Sequence, residues 1–537
     1  MNRQGKLFLI FSVLIFAGAL GIVLYYIWGN AFITELQSDC TDTLLWAQAS
    51  LESGKLFKPG FDYAYRLAFG GQWLFMPFLK LFGVGTAALR CGMTLFTLVF
   101  AAALVFFFRS LGCRAEISFA EAGIMLLALC ATKKTREIFY GHVIHYSLAV
   151  FYLMLAFIFL RLLLRGKGVR GTLVPGTLLT LVLFMCSANG TVEILYVTLP
   201  LLIGCLIEAF LSGRKKLLVV CACVILAAGA GYLFSNSLNT HYSDGYSVVV
   251  PWTEWAENFL RIPVRWISLF YPLPERNLDS FTSLWIRTVF KAVIALVILA
   301  GFLLSFSRYK TLKRAEERIF VFTAWAMFAA FLFFFVFGKI SDVDWRMTPL
   351  LFAGEVVVLL LFNQLDLKAP ERTLSGGLAL LCGAVLVLQA ASNGLSVLRI
   401  PYDRKIWYAE DGLLETLKAN GLDYGYITSY WLSNSVTVLS DDTIRVRAVS
   451  FDDGHLYLNP FNSDLAWYDD QPERDRYFLA MKESQYDPEL PFVREALETY
   501  TCFQEDTRNS IKENYVILVF DHNIMKEEHD ALVPRYY

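Results

Sequence analysis

The sequence predicts a polytopic α-helical membrane protein of about eleven transmembrane helices, followed by a smaller α/β domain outside the membrane. Three observations carry that expectation. Of 537 residues, 56% are hydrophobic and 45 are Phe, with a mean hydropathy of +0.49. Charged residues make up 18% of the chain, where a soluble globule carries about 25%. Uncharged apolar runs of membrane-spanning length recur up to Ser392, after which charges and turn residues return.

The first run, "LFLIFSVLIFAGALGIVLYYIW", follows Arg3 and Lys6. It is longer than a signal-peptide core and ends in Tyr and Trp, without a small-residue cleavage site, so it reads as an uncleaved span. Further spans are expected near 87–108, 117–132, 146–164, 172–188, 195–211, 217–235, 284–305, 319–337, 347–363 and 376–392, after the first at 6–28. Basic residues cluster in alternate connections: Arg109/Arg114, Arg161/Arg165/Lys167/Arg170, Arg214/Lys215/Lys216, Arg308/Lys310/Lys313/Arg314/Arg318 and Lys368/Arg372. These share a side with Arg3 and Lys6, which makes that side cytoplasmic and puts the C-terminal domain of an odd-spanned chain outside. The expected location is the plasma (inner) membrane.

Two outer loops are long. The loop near 29–86 contains "GGQWLFMPFLKLFG", which reads as an amphipathic segment on the membrane surface. The loop near 236–283 contains "WTEWAENFLRIPVRWISLFYPLP", a Trp and Arg mixture suited to the headgroup layer. Residues 1–392 therefore form the membrane domain and 393–537 the outer domain. In the latter, "DGLLETLKANGL" reads as a helix closed by Gly421, and "YGYIT", "TIRVRAV" and "NYVILVF" as strands. The ten cysteines form no CxxC pair, and with only Cys40 and Cys502 on the outer side no disulfide framework is expected. Nothing in the charge pattern points to nucleic acid.

Charges close to a bilayer are costly and mark candidate chemistry. Four outer places stand out. "SDCTD" gives Asp39 and Asp42. "TKKTREIFYGHVIHYS" gathers Lys133, Lys134, Arg136, Glu137, His142 and His145. "CSANGTVEILY" holds Asn189 and Glu193, and "GKISDVDWRMTP" holds Lys339, Asp342, Asp344 and Arg346. Each has a plain alternative. Loop carboxylates are ordinarily solvated, and the basic cluster suits a snorkelling belt. His142 and His145, at i and i+3, suit one helix face holding a metal, or else packing and hydrogen bonding to substrate. Asn189-Gly-Thr191 matches a glycosylation acceptor but lies close to the membrane. Glu355 suits a proton path or a hydrogen bond between helices. As a set, a carboxylate able to take a proton faces Arg, Lys and His groups able to offset the charge of a leaving phosphate.

The stretches "SDCTDTLLWAQASLESGKLFKPGFDYAYRLAFGG", "LFGVGTAALRCGM" and "LKANGLDYGYITSYWLSNSVTVLSDDTIRVRAV" resemble bacterial glycosyltransferase-like members of the GT-C superfamily, the group of protein O-mannosyltransferases and aminoarabinose transferases. The resemblance covers the whole plan, from one span and an acidic first loop to an outer C-terminal domain. It implies an inverting glycosyltransferase that moves a sugar from a polyprenyl-phosphate donor to a cell-envelope glycan, lipid or protein hydroxyl. It also implies that Asp39, or alternatively Asp42, is the catalytic carboxylate; the two are three residues apart, whereas many members carry adjacent acids. Lys133 or Lys134, Arg136 and Arg346 are then expected around the phosphate, with Tyr63, His142, His145, Glu193, Asp342 and Asp344 as further substrate contacts. A divalent-cation requirement stays open. A transporter or lipid-linked glycan flippase is the alternative, disfavoured by the absence of repeated halves; a non-catalytic scaffold is the third reading.

Overall fold

The computed structural model describes residues 3–238, 241–242, 249–273, 282–340, 343–365, 374–400, 412–506 and 511–536. Among these, ten helices are long and apolar enough to cross a membrane: Gly5–Trp28, Thr86–Ser110, His145–Arg165, Gly168–Ala188, Thr191–Ser212, Lys215–Ser237, Ser283–Thr311, Ala315–Phe337, Asp344–Asn363 and Gly376–Leu398. The span expected near 117–132 is the shorter helix Ala115–Ala128, of 14 residues, which rises about 21 Å. It packs along the first helix, with Phe119 edge-on to Phe16 at 5.6 Å and Gly123 against the Phe16 backbone. Its end is fixed by Asn393, whose amide donates to the Leu127 and Ala128 carbonyls at 3.2 and 3.1 Å.

Trp46, in the loop after the first span, donates its indole N–H to the Asn462 carbonyl oxygen at 3.1 Å. The first loop and the C-terminal domain therefore meet. Ala115–Ala128 is shorter than the ten long apolar helices, so the described residues give ten helices of spanning length where about eleven were expected.

Both long loops carry structure. The helix Gln72–Phe82 buries Gln72, Phe75 and Leu79 and exposes Trp73, Leu81 and Phe82. The helix Trp252–Ser268 buries Asn258 and Trp266 and exposes Trp252, Phe259, Leu260 and Val264. Each presents an apolar outer stripe of the kind that lies in the bilayer interface.

Among the described residues there are nine strands: β1 (Phe61–Tyr63), β2 (His241–Tyr242), β3 (Tyr424–Ile427), β4 (Arg445–Asp452), β5 (His455–Leu458), β6 (Ser463–Asp464), β7 (Tyr477–Lys482), β8 (Glu498–Asp506) and β9 (Ile511–Phe520). The C-terminal domain is a six-stranded mixed sheet in the order β5-β4-β3-β7-β9-β8, with β3 parallel to β4 and β7. The three strands and the helix read from the sequence are all present; that helix is Leu413–Ala419, and Gly421 beyond it takes φ 64°. Since β3 and β4 are parallel, the chain crosses over between them through the helix Tyr430–Leu439. A second small sheet, β2-β1-β6, stitches both loops to the domain, with Phe61 opposite Asp464 and Tyr63 opposite Tyr242.

Candidate active site

The site begins with the helix Ser38–Ser53. Gln37 is extended and Asp39 occupies the first turn, where a carboxylate is favoured by the unpaired N–H groups of a helix start. Spacing of i and i+3 puts Asp39 and Asp42 on one face. Opposite, Thr132 and Thr135 cap each other in a reciprocal box that starts the single turn Lys133–Arg136. The chain then widens into a π turn, Glu137–Gly141, and is extended at His142 before the helix His145–Arg165 begins. Such wide turns recur at functional sites because they re-aim side chains.

These two segments face each other across a cleft of about 370 Å³, lined by Asp39, Asp42, Tyr65, Lys134, His142, Trp345 and Phe461, with Ala64, Ile138 and Ile144. Lys134 is ion-paired with Glu137 and stands over the Trp345 ring, 4.4 Å from its centre. Among the described lining residues it is the one cation. His142 Nδ1 lies 2.8 Å from the backbone carbonyl oxygen of Asp39. A carbonyl only accepts, so Nδ1 carries the proton and Nε2 presents its lone pair. That Nε2 is buried without a hydrogen-bond partner, 4.0 Å from Glu137 Oε1. From the C-terminal domain, the Tyr430 hydroxyl donates to Asp39 Oδ1 at 3.2 Å.

The charges are set by burial and by each other. Burial raises the Asp39 carboxyl above the usual carboxylate range, with Lys134 pulling the other way. Asp42 is raised well above it, by burial first and then by Asp39; its Oδ1 has no hydrogen-bond partner. Of two adjacent buried carboxyls one takes up a proton before the other, and Asp42 is the one raised further. Burial would lower Lys134, but Glu137 and Asp39 more than offset it and hold it as a cation. Burial would raise Glu137, but Lys134 and His142 bring it below its ordinary value. His142 is lowered, chiefly by burial, and is neutral near pH 7.

Of the other sequence candidates, several sit elsewhere. Arg136 does not line the cleft. Its guanidinium forms a two-pronged pair with Glu35, with Nε to Oε2 at 2.9 Å, and also donates to the Cys130 carbonyl. Tyr26 donates to the same Glu35 carboxylate at 2.7 Å. The expected basic cluster is therefore divided, because a buried guanidinium needs a carboxylate and Glu35 supplies it. Lys133 opens the same turn without lining the cleft.

His145 and Glu193 pair at 2.6 Å behind Tyr65, whose ring is edge-on to the imidazole at 4.4 Å. Tyr63 is packed among Phe57, Phe61 and Trp46, and its hydroxyl accepts from the Lys58 N–H. Asp344 and Arg346 flank Trp345 in a 3₁₀ turn, outside the cleft lining. Asp342 falls outside the described residues.

His142 and His145 do not share a helix face, since His142 is extended and His145 starts the helix. Among the described residues no three His, Cys, Asp or Glu side chains converge as metal ligands, and His142 Nδ1 already donates to the Asp39 carbonyl. Asn189 is buried and used: its amide pairs with both the N–H (2.7 Å) and the C=O (3.3 Å) of Phe69, which leaves no room for a glycan. Among the described residues neither oxygen of Glu355 has a hydrogen-bond partner, so the interhelical bond read there is not found.

Sequence reasoning missed Tyr65, Trp345, Tyr430, Phe461 and Asn462. For Tyr430 a signal existed. It begins a helix directly after a parallel strand, in "YGYITSYWLSN", and the ends of parallel strands are where open α/β sheets place ligands.

Comparison with known proteins then adds the fold. No protein-family model matches the chain, and no curated protein sequence does. Among solved structures, ArnT from Cupriavidus metallidurans in the apo state aligns over 94% of this chain and 97% of its own, with a TM-score of 0.50 and 11% identity. An oligosaccharyltransferase from Archaeoglobus fulgidus, solved with zinc and sulfate, aligns over 82% of this chain and 62% of its own at a TM-score of 0.39 and 11% identity. The full-length alignment with ArnT gives this chain a GT-C fold: a bundle of membrane helices with a C-terminal sheet domain above it.

Proposed function

We propose that the protein is an integral-membrane glycosyltransferase of the lipid-phosphate-sugar class, working on the face of the membrane where the first loop and the C-terminal domain meet. The basic residues at the opposite helix ends support an extracytoplasmic site in the plasma membrane. The observation that carries the reading is one cleft opening onto both a carboxylate, Asp39, and a cation, Lys134.

In the reaction, the acceptor hydroxyl attacks the anomeric carbon from the side opposite the phosphate. Its proton passes to Asp39, the new C–O bond forms, and the bond from the anomeric carbon to the phosphate oxygen breaks with inversion. The pair of electrons leaves on polyprenyl phosphate, whose growing charge Lys134 offsets. Fixed charges aimed at a departing oxygen contribute several kcal/mol in many enzymes. The Nε2 lone pair of His142 accepts from a hydroxyl of sugar or acceptor, and the Tyr65 and Trp345 rings give the sugar flat apolar walls. Asp42, neutral, keeps a second negative charge away from the phosphate. Glu193 and His145 hold Tyr65 in place from behind.

The test is sugar transfer from a polyprenyl-phosphate sugar in membranes carrying single variants. Asp39→Asn is expected to lose about 10²–10⁴-fold of the rate, the usual weight of a general base. Asp42→Asn, which copies a neutral acid, is expected within about tenfold of the parent. Full transfer by Asp39→Asn overturns the reading, and an inactive Asp42→Asn beside an active Asp39→Asn exchanges the two roles.

A further inference from the structure

The C-terminal domain reaches the cleft through a chain of hydrogen bonds whose direction is fixed at every step. Trp46 Nε1 and the Ala64 backbone N–H both end on Asn462 Oδ1, at 3.1 and 2.9 Å. Neither group can accept, so this end of the Asn462 amide is the oxygen. The Nδ2 end then donates to the Tyr430 oxygen at 2.9 Å. The single phenolic proton of Tyr430 is left for Asp39 Oδ1, 3.2 Å away.

The relay is itself held rigidly. Asn462 is fully buried with φ +54°, a left-handed conformation that Asn tolerates better than most residues. The Asn434 amide donates to its backbone oxygen at 3.2 Å, and the Tyr430 ring packs edge-on to Trp431 and Phe461 at 5.2 Å each. Asn462 also hydrogen-bonds the Asp42 carboxyl and pulls it down against its burial, but Asp42 Oδ1 has no donor among the described residues, and the Tyr430 phenol serves Asp39.

We infer that Tyr430 is a positioning residue: oriented by Asn462, it delivers a proton-donating hydroxyl to Asp39, so that the C-terminal domain selects which of the two first-loop acids is the anionic base. The inference rests on the reading of Asp39 as the base, and it adds that the base is tuned by a domain separate from the membrane bundle. A donor aimed at one carboxylate oxygen stabilises its charged form and not its protonated form. The groups that bear on Asp39 are Asp42 on its own helix, Lys134 and Glu137 on the facing turn, His142 after it, and Tyr430 from the outer domain. Of these, Tyr430 is the one neutral hydroxyl, and it can be removed without changing any formal charge.

The test needs no substrate. Carbodiimides react with protonated carboxyl groups, so the pH at which dicyclohexylcarbodiimide labels half of Asp39, read by peptide mass spectrometry on the full chain in detergent, reports its protonation. Tyr430→Phe is expected to move that midpoint up by about one pH unit. Asn462→Ala, which frees the phenol to turn, should move it the same way by less, and serves if Tyr430→Phe does not fold. Thr437 sits on the same helix and joins it to β4, its hydroxyl accepting from the Val446 N–H at 3.0 Å. Thr437→Val disturbs that packing without touching the relay, and should leave the midpoint in place. An unchanged midpoint in both relay variants overturns the inference while leaving the base assignment intact. Retained transfer by Asp39→Asn overturns the base assignment and with it the selection of the base, while a shifted midpoint in Tyr430→Phe would then still show Tyr430 tuning the Asp39 carboxyl.

Discussion

Glu35→Gln is a one-atom change with a large expected cost. The Glu35 carboxylate accepts from Arg136 through two guanidinium N–H groups and from Tyr26 at 2.7 Å, and all three residues are buried. A glutamine keeps the shape but leaves the Arg136 charge without a counter-charge. Breaking a buried pair from one side costs about 3–5 kcal/mol, since the remaining charge cannot return to water. The cost falls on the segment that Arg136 anchors, from Cys130 through the Lys133–Arg136 turn to the π turn bearing Glu137.

The amides of Arg136 and His142, bonded to Thr132 and Glu137 carbonyls, report local opening there. At about 1.4 kcal/mol per tenfold, hydrogen exchange of residues 130–142 should speed up by on the order of 100-fold or more. The C-terminal sheet should be unaffected. The double variant Glu35→Leu/Arg136→Met removes both charges and should restore most of the protection. Exchange within about fivefold of the parent in Glu35→Gln, or a double variant no better than the single, would refute the anchoring role.

Two further outcomes follow from the same geometry. Asp42 is raised well above its ordinary range in the folded protein, so folding binds a proton there. Its contribution is complete below the unfolded carboxyl value and is lost as pH rises through the folded one; Asp42→Asn should therefore stabilise the protein against denaturation at pH 8 and not at pH 4. Asn189→Ala removes both hydrogen bonds to the Phe69 backbone, about 1–2 kcal/mol in all, which should show as about tenfold faster exchange over residues 66–72 and as no change around Asp39.

How much of this was legible beforehand depends on the range of the interaction. Apolar runs are local, and so the spans, the two interfacial segments and one helix and three strands of the C-terminal domain could be read directly. The helix Ala115–Ala128 was overrun because its end is set by Asn393, from the last span. Asp39, Asp42, Lys134 and His142 could be named from charge beside the membrane, and they line one cleft. Arg136 looked equivalent to Lys134 in sequence, two residues away, yet faces the opposite way into Glu35; the turn, not the composition, separates them. Tyr430 and Asn462 carry no charge and lie far along the chain, so nothing local marked them.

That distance has a consequence for when the protein becomes competent. Trp46 and Asn462 are 416 positions apart, so a chain emerging from the ribosome has its acidic helix long before it has the phenol and amide that finish the centre. The membrane helices between them and the C-terminal sheet must all be made before the first loop can meet Asn462. A nascent or truncated molecule would carry both carboxyl groups and still lack the phenol and amide that meet Asp39 in the folded chain.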